Sequence, residues 1–153
     1  MLKAIRHHWP EYLMESAGLS VFMISAGLFT TLLEYAASPV HQSISSEFVR
    51  RTLGGLAMGL TAVGLIYSSW RQQSGAHFNP AVTLSFLWLG KVKPWDALFY
   101  VISQTIGSLA GVLLVSFTLR DSFGQPPVSY VATVPRPAGP WSAFAGDPLS
   151  VLR

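Results

Sequence analysis

Charged residues divide the chain into long apolar runs. Between Glu15 and Glu34 lie 18 uncharged residues, Ser16 to Leu33. A second uncharged run of 19 residues extends from Thr52 to Trp70, and a third of 23 from Ala97 to Leu119. A hydrocarbon core about 30 Å thick takes about 20 helical residues, so each run has the length of a membrane-crossing helix. Helices of water-soluble domains average about 11–12 residues and keep a polar face. The pattern predicts spans over residues 12–35, 51–70 and 97–119. Lys3 and Arg6 precede the first run as they would a signal peptide. Its apolar stretch exceeds the usual length of about 7–15 residues, however, and no clean cleavage site follows Leu33. It reads as a retained span.

A fourth apolar segment is too short to cross. Residues 79–90 (NPAVTLSFLWLG) end against Lys91 and Lys93, and at 1.5 Å per residue they reach about 18 Å, near half the membrane. Asn79 suits an N-cap, and Pro80 suits the first helical position, where no N–H is needed. The preceding Gln72-Gln73-Ser74-Gly75-Ala76-His77 is polar or small. Backbone of that kind survives at membrane depth only where protein or a water-filled cavity covers it. The fold class is therefore an all-α membrane protein with three transmembrane helices and one re-entrant half-helix. Small-residue pairs, Gly55/Gly59 in the second span and Gly107/Gly111 in the third, are read as close helix contacts within a compact bundle.

Composition agrees with a membrane protein. Of 153 residues, 11% are charged and 50% hydrophobic, against about 25% charged in soluble domains. The formal net charge of +3 comes without any basic block, which excludes a nucleic-acid partner. The chain has no cysteine, so disulfide scaffolds, Cys-based zinc sites and thiol catalysis are excluded. No nucleophile, base or phosphate-loop set stands at usable spacing, and no enzyme activity, cofactor or metal is expected. His7, His8, Glu11 and Glu15 share a helical face, but without a third well-spaced ligand they read as an interfacial N-terminal segment. His41 reads as an ordinary loop residue.

Two polar residues sit inside apolar runs: Glu15, about one turn into the first, and Gln104, about two turns into the third. Such residues face the interior of a bundle and find partners. Glu15 is either an interfacial residue snorkelling to water or a brace accepting from the exposed amides of the re-entrant loop. His77, two residues before the half-helix cap, occupies the most constrained place among the histidines.

The run Ser74-Gly75-Ala76-His77-Phe78-Asn79-Pro80-Ala81-Val82-Thr83 resembles the first signature loop of the aquaporin (major intrinsic protein) family. Glu15, the glycines of the second span and Tyr100…Gln104…Gly107 fit the same resemblance, as does Val131-Ala132-Thr133-Val134-Pro135. It covers residues 11–146 and implies one aquaporin-type repeat, residues 1–120, of a family built from two inverted repeats. Residues 121–153 are expected to be a Pro-rich extracellular loop and a truncated tail, with six of the ten prolines. The sequence leaves the family pattern at Gly146-Asp147-Pro148, and the second signature loop and spans four to six are missing.

The resemblance implies a channel component for water, or for small neutral solutes such as glycerol, in the cell membrane, plasma or inner. The GAHFNPAVT loop favours water. Asn79 would donate to passing water, carbonyls of Gly75, Ala76 and His77 would form an acceptor ladder, and Pro80 and Ala81 would line the pore. Met58 falls near the selectivity-filter position, and Glu15 and Gln104 would brace the loop. The implied partners are membrane lipid, the solute, and a second half-channel or further copies of the chain. The alternative is a truncated, non-conducting membrane fragment.

Topology follows from the basic residues. Lys3, Arg6, Arg71, Lys91 and Lys93 fall on the side shared by the N-terminus and the signature loop, and Arg50, Arg51 and Arg120 flank the spans opposite. The bias of five against three places the N-terminus inside. A Ser122→Cys variant, the chain's single thiol, should react with an impermeant reagent from outside; labelling only after lysis would reverse the orientation.

Overall fold

The computed structural model describes residues 2–69 and 71–132. The segment from residue 133 onward, with the expected Pro-rich tail and Gly146-Asp147-Pro148, lies outside the described residues. Among the described residues the chain is all helix and connecting turns. In order these are α1 (Leu2–Glu34), α2 (Pro39–Ser43), α3 (Glu47–Ile66), α4 (Arg71–Ser74), α5 (Pro80–Trp88), α6 (Pro94–Leu119) and α7 (Asp121–Gly124), then a 3₁₀ turn at Ser129–Val131. Three helices, α1 from Ile5, α3 and α6, are long and apolar enough to cross a membrane.

Helix α1 begins well before its apolar run because Lys3, Arg6 and Glu11 end hydrophobicity, not helicity. It breaks at His8, with φ −117° and ψ 15°, just before Pro10. A proline inside a helix removes one i→i−4 hydrogen bond and crowds the preceding turn, which accounts for the break. Helix α6 starts at Pro94 in the first helical position. It runs 26 residues, about 39 Å at 1.5 Å per residue.

Helices α1 and α6 form the main packed pair, with α3 against α1 and α5 against α6. The α6 glycines make the first contact possible. A Cβ on Gly107 would overlap the Ser16 carbonyl, and one on Gly111 would stand 2.6 Å from the Ser20 carbonyl oxygen. The pair in α3 behaves otherwise. Among the described residues a Cβ on Gly55 or Gly59 would meet nothing within 4 Å, so the expectation that both pairs close the bundle is corrected. Of the α3 glycines, Gly54 is the one that touches a neighbour, Leu33 of α1. A GxxxG stripe permits close approach but does not name its partner. Leu53, Leu56, Leu60 and Val63 of α3 and Leu109, Leu113 and Phe117 of α6 are exposed, as lipid-facing positions are.

The end opposite the N-terminus is closed by polar caps and a small core. Ser38 Oγ donates to the Leu32 carbonyl at 2.6 Å, and His41 Nδ1 lies 2.9 Å from the Leu33 carbonyl, so the orphan carbonyls of the α1 C-terminus are partnered. His41 is thus a capping residue. Arg50 Nη1 donates to the carbonyls of Ile44 and Ser45, while its Nε stands 3.5 Å from Glu34. Val115, Phe123 and Val128 are buried together.

The contrast between the two glycine pairs gives a direct test. Gly107→Val should lower stability by about 1–3 kcal/mol through overpacking against α1, whereas Gly59→Val should leave thermal unfolding in detergent nearly unchanged. Equal losses would place the α3 pair inside a contact of this chain.

Candidate functional site

Ser74 to Asn79 turn back on themselves between α4 and α5. Gly75 sits at φ 86°, Ala76 at φ 46° and Phe78 at φ 41°. Glycine takes the left-handed region freely, but Ala76 and Phe78 do so at a cost of about 1–3 kcal/mol each. Such backbone persists only where its surroundings over-determine it.

Glu15 supplies that constraint. Its Oε1 accepts from Ser74 Oγ at 2.9 Å and from the His77 amide at 2.9 Å. Its Oε2 accepts from the Phe78 amide at 2.6 Å and from Gln104 Nε2 at 2.8 Å. A carboxylate offers about four acceptor sites, and these four donors fill them. Glu15 and Gln104 are fully buried, so the carboxylate brought into the apolar run by α1 does not snorkel to water.

The remaining loop contacts come from α5 and α6. Gln104 Nε2 also lies 3.1 Å from Thr83 Oγ1, and His77 Nδ1 is 3.0 Å from the same hydroxyl. Tyr100 donates its hydroxyl to the Ser74 carbonyl at 3.0 Å, and Ser74 Oγ accepts the Ala76 amide at 3.2 Å. His77 lies outside the three spanning helices; burial pushes its pKa below the ordinary value, while the Glu15 charge pulls the other way. The Phe78 ring lies over Gly18, where a side chain on α1 would collide with it. Glu15 and Gly18 are three residues apart and share a helix face. One residue holds the Phe78 amide and the other admits its ring.

Asn79 opens α5 as its N-cap. Its Oδ1 accepts the Ala81 amide at 2.8 Å, and its carbonyl accepts the Thr83 amide at 3.0 Å. That leaves the side-chain NH₂ of an exposed residue directed away from the cap. Beside it runs a groove of about 320 Å³ between α1 and α3. Leu19, Phe22 and Met23 form one wall and Ala62, Leu65 and Ile66 the other, with Ala76 to Pro80 along the loop.

Of the residues singled out from sequence, Ala76, His77, Asn79 and Pro80 line this groove. Gly75 and Ala81 are exposed beside it. Met58 is half-buried on α3, four residues from Ala62, and is not part of the lining. Ser74, Phe78 and Thr83 fall within the signature run but have no role assigned from sequence, and Gly18 is unmarked; each acts through a partner on another element. His8 turns to Asp96 at 2.9 Å and Glu15 to the loop, so His7, His8, Glu11 and Glu15 do not converge.

The family model described as major intrinsic protein matches residues 5–139. This chain belongs to the major intrinsic protein family. With three helices able to cross a bilayer, this family member is a multi-pass membrane protein. Among curated proteins it is similar to Aquaporin-B of Dictyostelium discoideum, 42% identical over 85 residues, which cover 52% of this chain and 29% of that protein. It is 48% identical over 75 residues to Aquaporin NIP1-2 of Arabidopsis thaliana, covering 48% of this chain and 24% of the relative. A probable aquaporin NIP-type of Nicotiana alata is 35% identical over 116 residues, 74% of this chain and 37% of its own length. The chain thus spans less than half the length of these relatives. No solved structure matches it.

The carboxylate brace predicts an ordered series. Glu15→Leu leaves buried amides without an acceptor at about 1–3 kcal/mol each, and Glu15→Gln, keeping one acceptor oxygen, should lose less. Hydrogen exchange at the His77 and Phe78 amides should accelerate more in the leucine variant. Equal exchange in both variants would remove Glu15 from its bracing role.

Proposed function

We propose that the chain forms one half of a transmembrane channel that passes water, with small neutral solutes such as glycerol as the alternative cargo. The observation that carries this reading is Asn79. Its Oδ1 is consumed by the helix cap, so its NH₂ is left to donate at the mouth of a groove whose α1 and α3 walls are apolar. The positive N-terminal end of α5, equivalent to about half an elementary charge, lies at the same point. A water oxygen there accepts from Asn79 and turns its hydrogens away from the helix end, which breaks a continuous proton wire and repels cations. Carbonyls of Gly75, Ala76 and His77 serve as the acceptor path leading to it, while Met58, outside the groove's lining, takes the filter position on the family resemblance alone. Similarity to the aquaporins of Dictyostelium discoideum and Arabidopsis thaliana supports the same reading.

Residues 1–120 act in this proposal as one repeat and residues 121–153 as an outer loop and tail. The groove has walls from α1 and α3 and from the loop, and its remaining side is open among the described residues. A pore needs that side closed, since polar loop backbone facing lipid is penalised. A second repeat, on the same polypeptide or a separate one, closes it. The reading of a non-conducting membrane fragment draws on the same open side and applies wherever no second repeat is present.

Liposomes holding this chain alone should shrink under an osmotic gradient no faster than empty ones, and co-reconstitution with a matching second half should speed shrinkage. In that complex Asn79→Asp, which removes the NH₂, should slow water flow. Rapid shrinkage with this chain alone, abolished by Asn79→Asp, would show that copies of one repeat suffice. Failure of every combination to conduct would refute the channel reading.

A further inference from the structure

The half-helix is held firmly at its start and loosely at its end. Helix α5 packs on α6. Its cross-links to the rest of the chain, Thr83 to Gln104 and His77 and Phe86 on the His77 ring, lie ahead of its last two residues. Trp88 closes the helix and is 90% exposed, more than any other large apolar residue described. It shares a face with Leu84, four residues earlier and also exposed, turned away from the buried Thr83. Trp88 is not part of the groove lining either. A large apolar ring left so bare at the loose end of a helix needs an environment.

The neighbours of Trp88 fix its level. Lys91 and Lys93 follow on the exposed connector to α6, and ammonium groups stay out of the hydrocarbon. Trp9 and Trp95 are exposed as well, at 56% and 49%. They adjoin His8 and Asp96, whose side chains meet at 2.9 Å, so these two indoles stand at one height. Exposed indoles collect at the headgroup level. From Trp88 back to its cap at Asn79, α5 covers nine residues, about 14 Å. A second route runs along α6. Asp96 to Gln104 is eight residues, about 12 Å; Gln104 meets Thr83 at 3.1 Å, and Asn79 lies four residues beyond Thr83, about 6 Å. The two routes, about 14 and about 18 Å, bracket half of a core about 30 Å thick.

We propose that Trp88 is an interfacial anchor. Its indole docks in the lipid headgroup layer at the end of the bundle where Trp9 and Trp95 stand, and so holds Asn79 at the middle of the bilayer. The ring lies among the first acyl methylenes while its N–H donates to lipid carbonyl or phosphate oxygens, a combination that a wholly apolar side chain lacks. Trp88 is a positioning residue, acting on a solute only through Asn79. Its value to a channel rests on the half-channel reading, because a half-helix that faces an inverted partner must end at the midplane. The depth itself does not rest on that reading.

The chain has no cysteine, so Ser85→Cys, at an exposed position of α5, carries a single nitroxide. Its depth should be read from oxygen against nickel-chelate accessibility, with the full chain in phosphatidylcholine bilayers of increasing acyl length. With Trp88 present, the label should keep its depth below the nearer headgroups as the bilayer thickens. In a Trp88→Leu background it should sink by about 3 Å, two residues of helix, and drift with thickness. Trp88→Tyr, which keeps a ring with a polar tip, should restore the original depth. Hydrogen exchange at the His77 and Phe78 amides should match the unmutated chain in both variants, because the brace does not involve Trp88. Unchanged depth in Trp88→Leu, drift with Trp88 present, or a tyrosine variant no better than leucine would overturn the anchor. Accelerated exchange at the brace would do so too, by placing Trp88 inside the fold. None of these measurements needs conduction, so failure to conduct with any second half would refute the channel reading and leave the anchor standing.

Discussion

A re-entrant loop at membrane depth has amides that neither water nor a helix ladder can satisfy, and here one carboxylate takes them. Glu15 accepts from four donors that come from the loop and from α6. The geometry around the loop is placed by that requirement. The carboxylate reaches the Gln104 amide only if α1 and α6 run almost in contact. Gly107 and Gly111 allow this, packing on the backbone at Ser16 and Ser20. Gly107 is one turn from Gln104, and Ser16 is next to Glu15, so the closest helix approach and the buried hydrogen bonds share one level of the bundle. The glycine contact and the brace form a single feature.

The loop's strain is intelligible on the same terms. Ala76 and Phe78 hold left-handed backbone angles that cost about 1–3 kcal/mol each. Those angles point the His77 and Phe78 amides at one carboxylate and leave Asn79 extended at the head of α5. A relaxed loop would orphan two buried amides, at a cost comparable to the strain. Gly18 completes the arrangement by admitting the Phe78 ring. Strain, brace and ring seat together fix where the half-helix begins, and with it where the free NH₂ of Asn79 stands.

Local signals made the three spans and the half-helix legible in the sequence: uncharged runs set the spans, and Asn79-Pro80 set the start of α5. Glu15 stood out as a charge in an apolar run, although its donors became visible only with the loop folded. The rest depended on distant partners. His8 and Asp96 are 88 positions apart, and no periodicity in either helix points to the other. Thr83 looks like an ordinary helical threonine until His77 and Gln104 meet on its hydroxyl. The α3 glycines misled for the complementary reason: small residues state that a backbone can come close, and Gly55 and Gly59 have nothing near them among the described residues.

Among the described residues, that open face and the open side of the groove make the fold one-sided. Contacts that close the fold gather on α1, which meets α6, α3 and the signature loop. Helix α3 touches α1 along one strip and leaves its leucines outward. Apolar side chains lose nothing by facing lipid, because acyl chains are as apolar as leucine. The exposed Asn79 and the loop backbone have no such indifference. In the proposed half-channel, the pressure to acquire a second repeat therefore comes from a few polar groups at the groove, not from the much larger apolar surface around them. A partner that covered α3 but left Asn79 facing acyl chains would not relieve it. One that brought a second polar half-helix opposite Asn79 would, and the water-filled space between the two would be the pore itself.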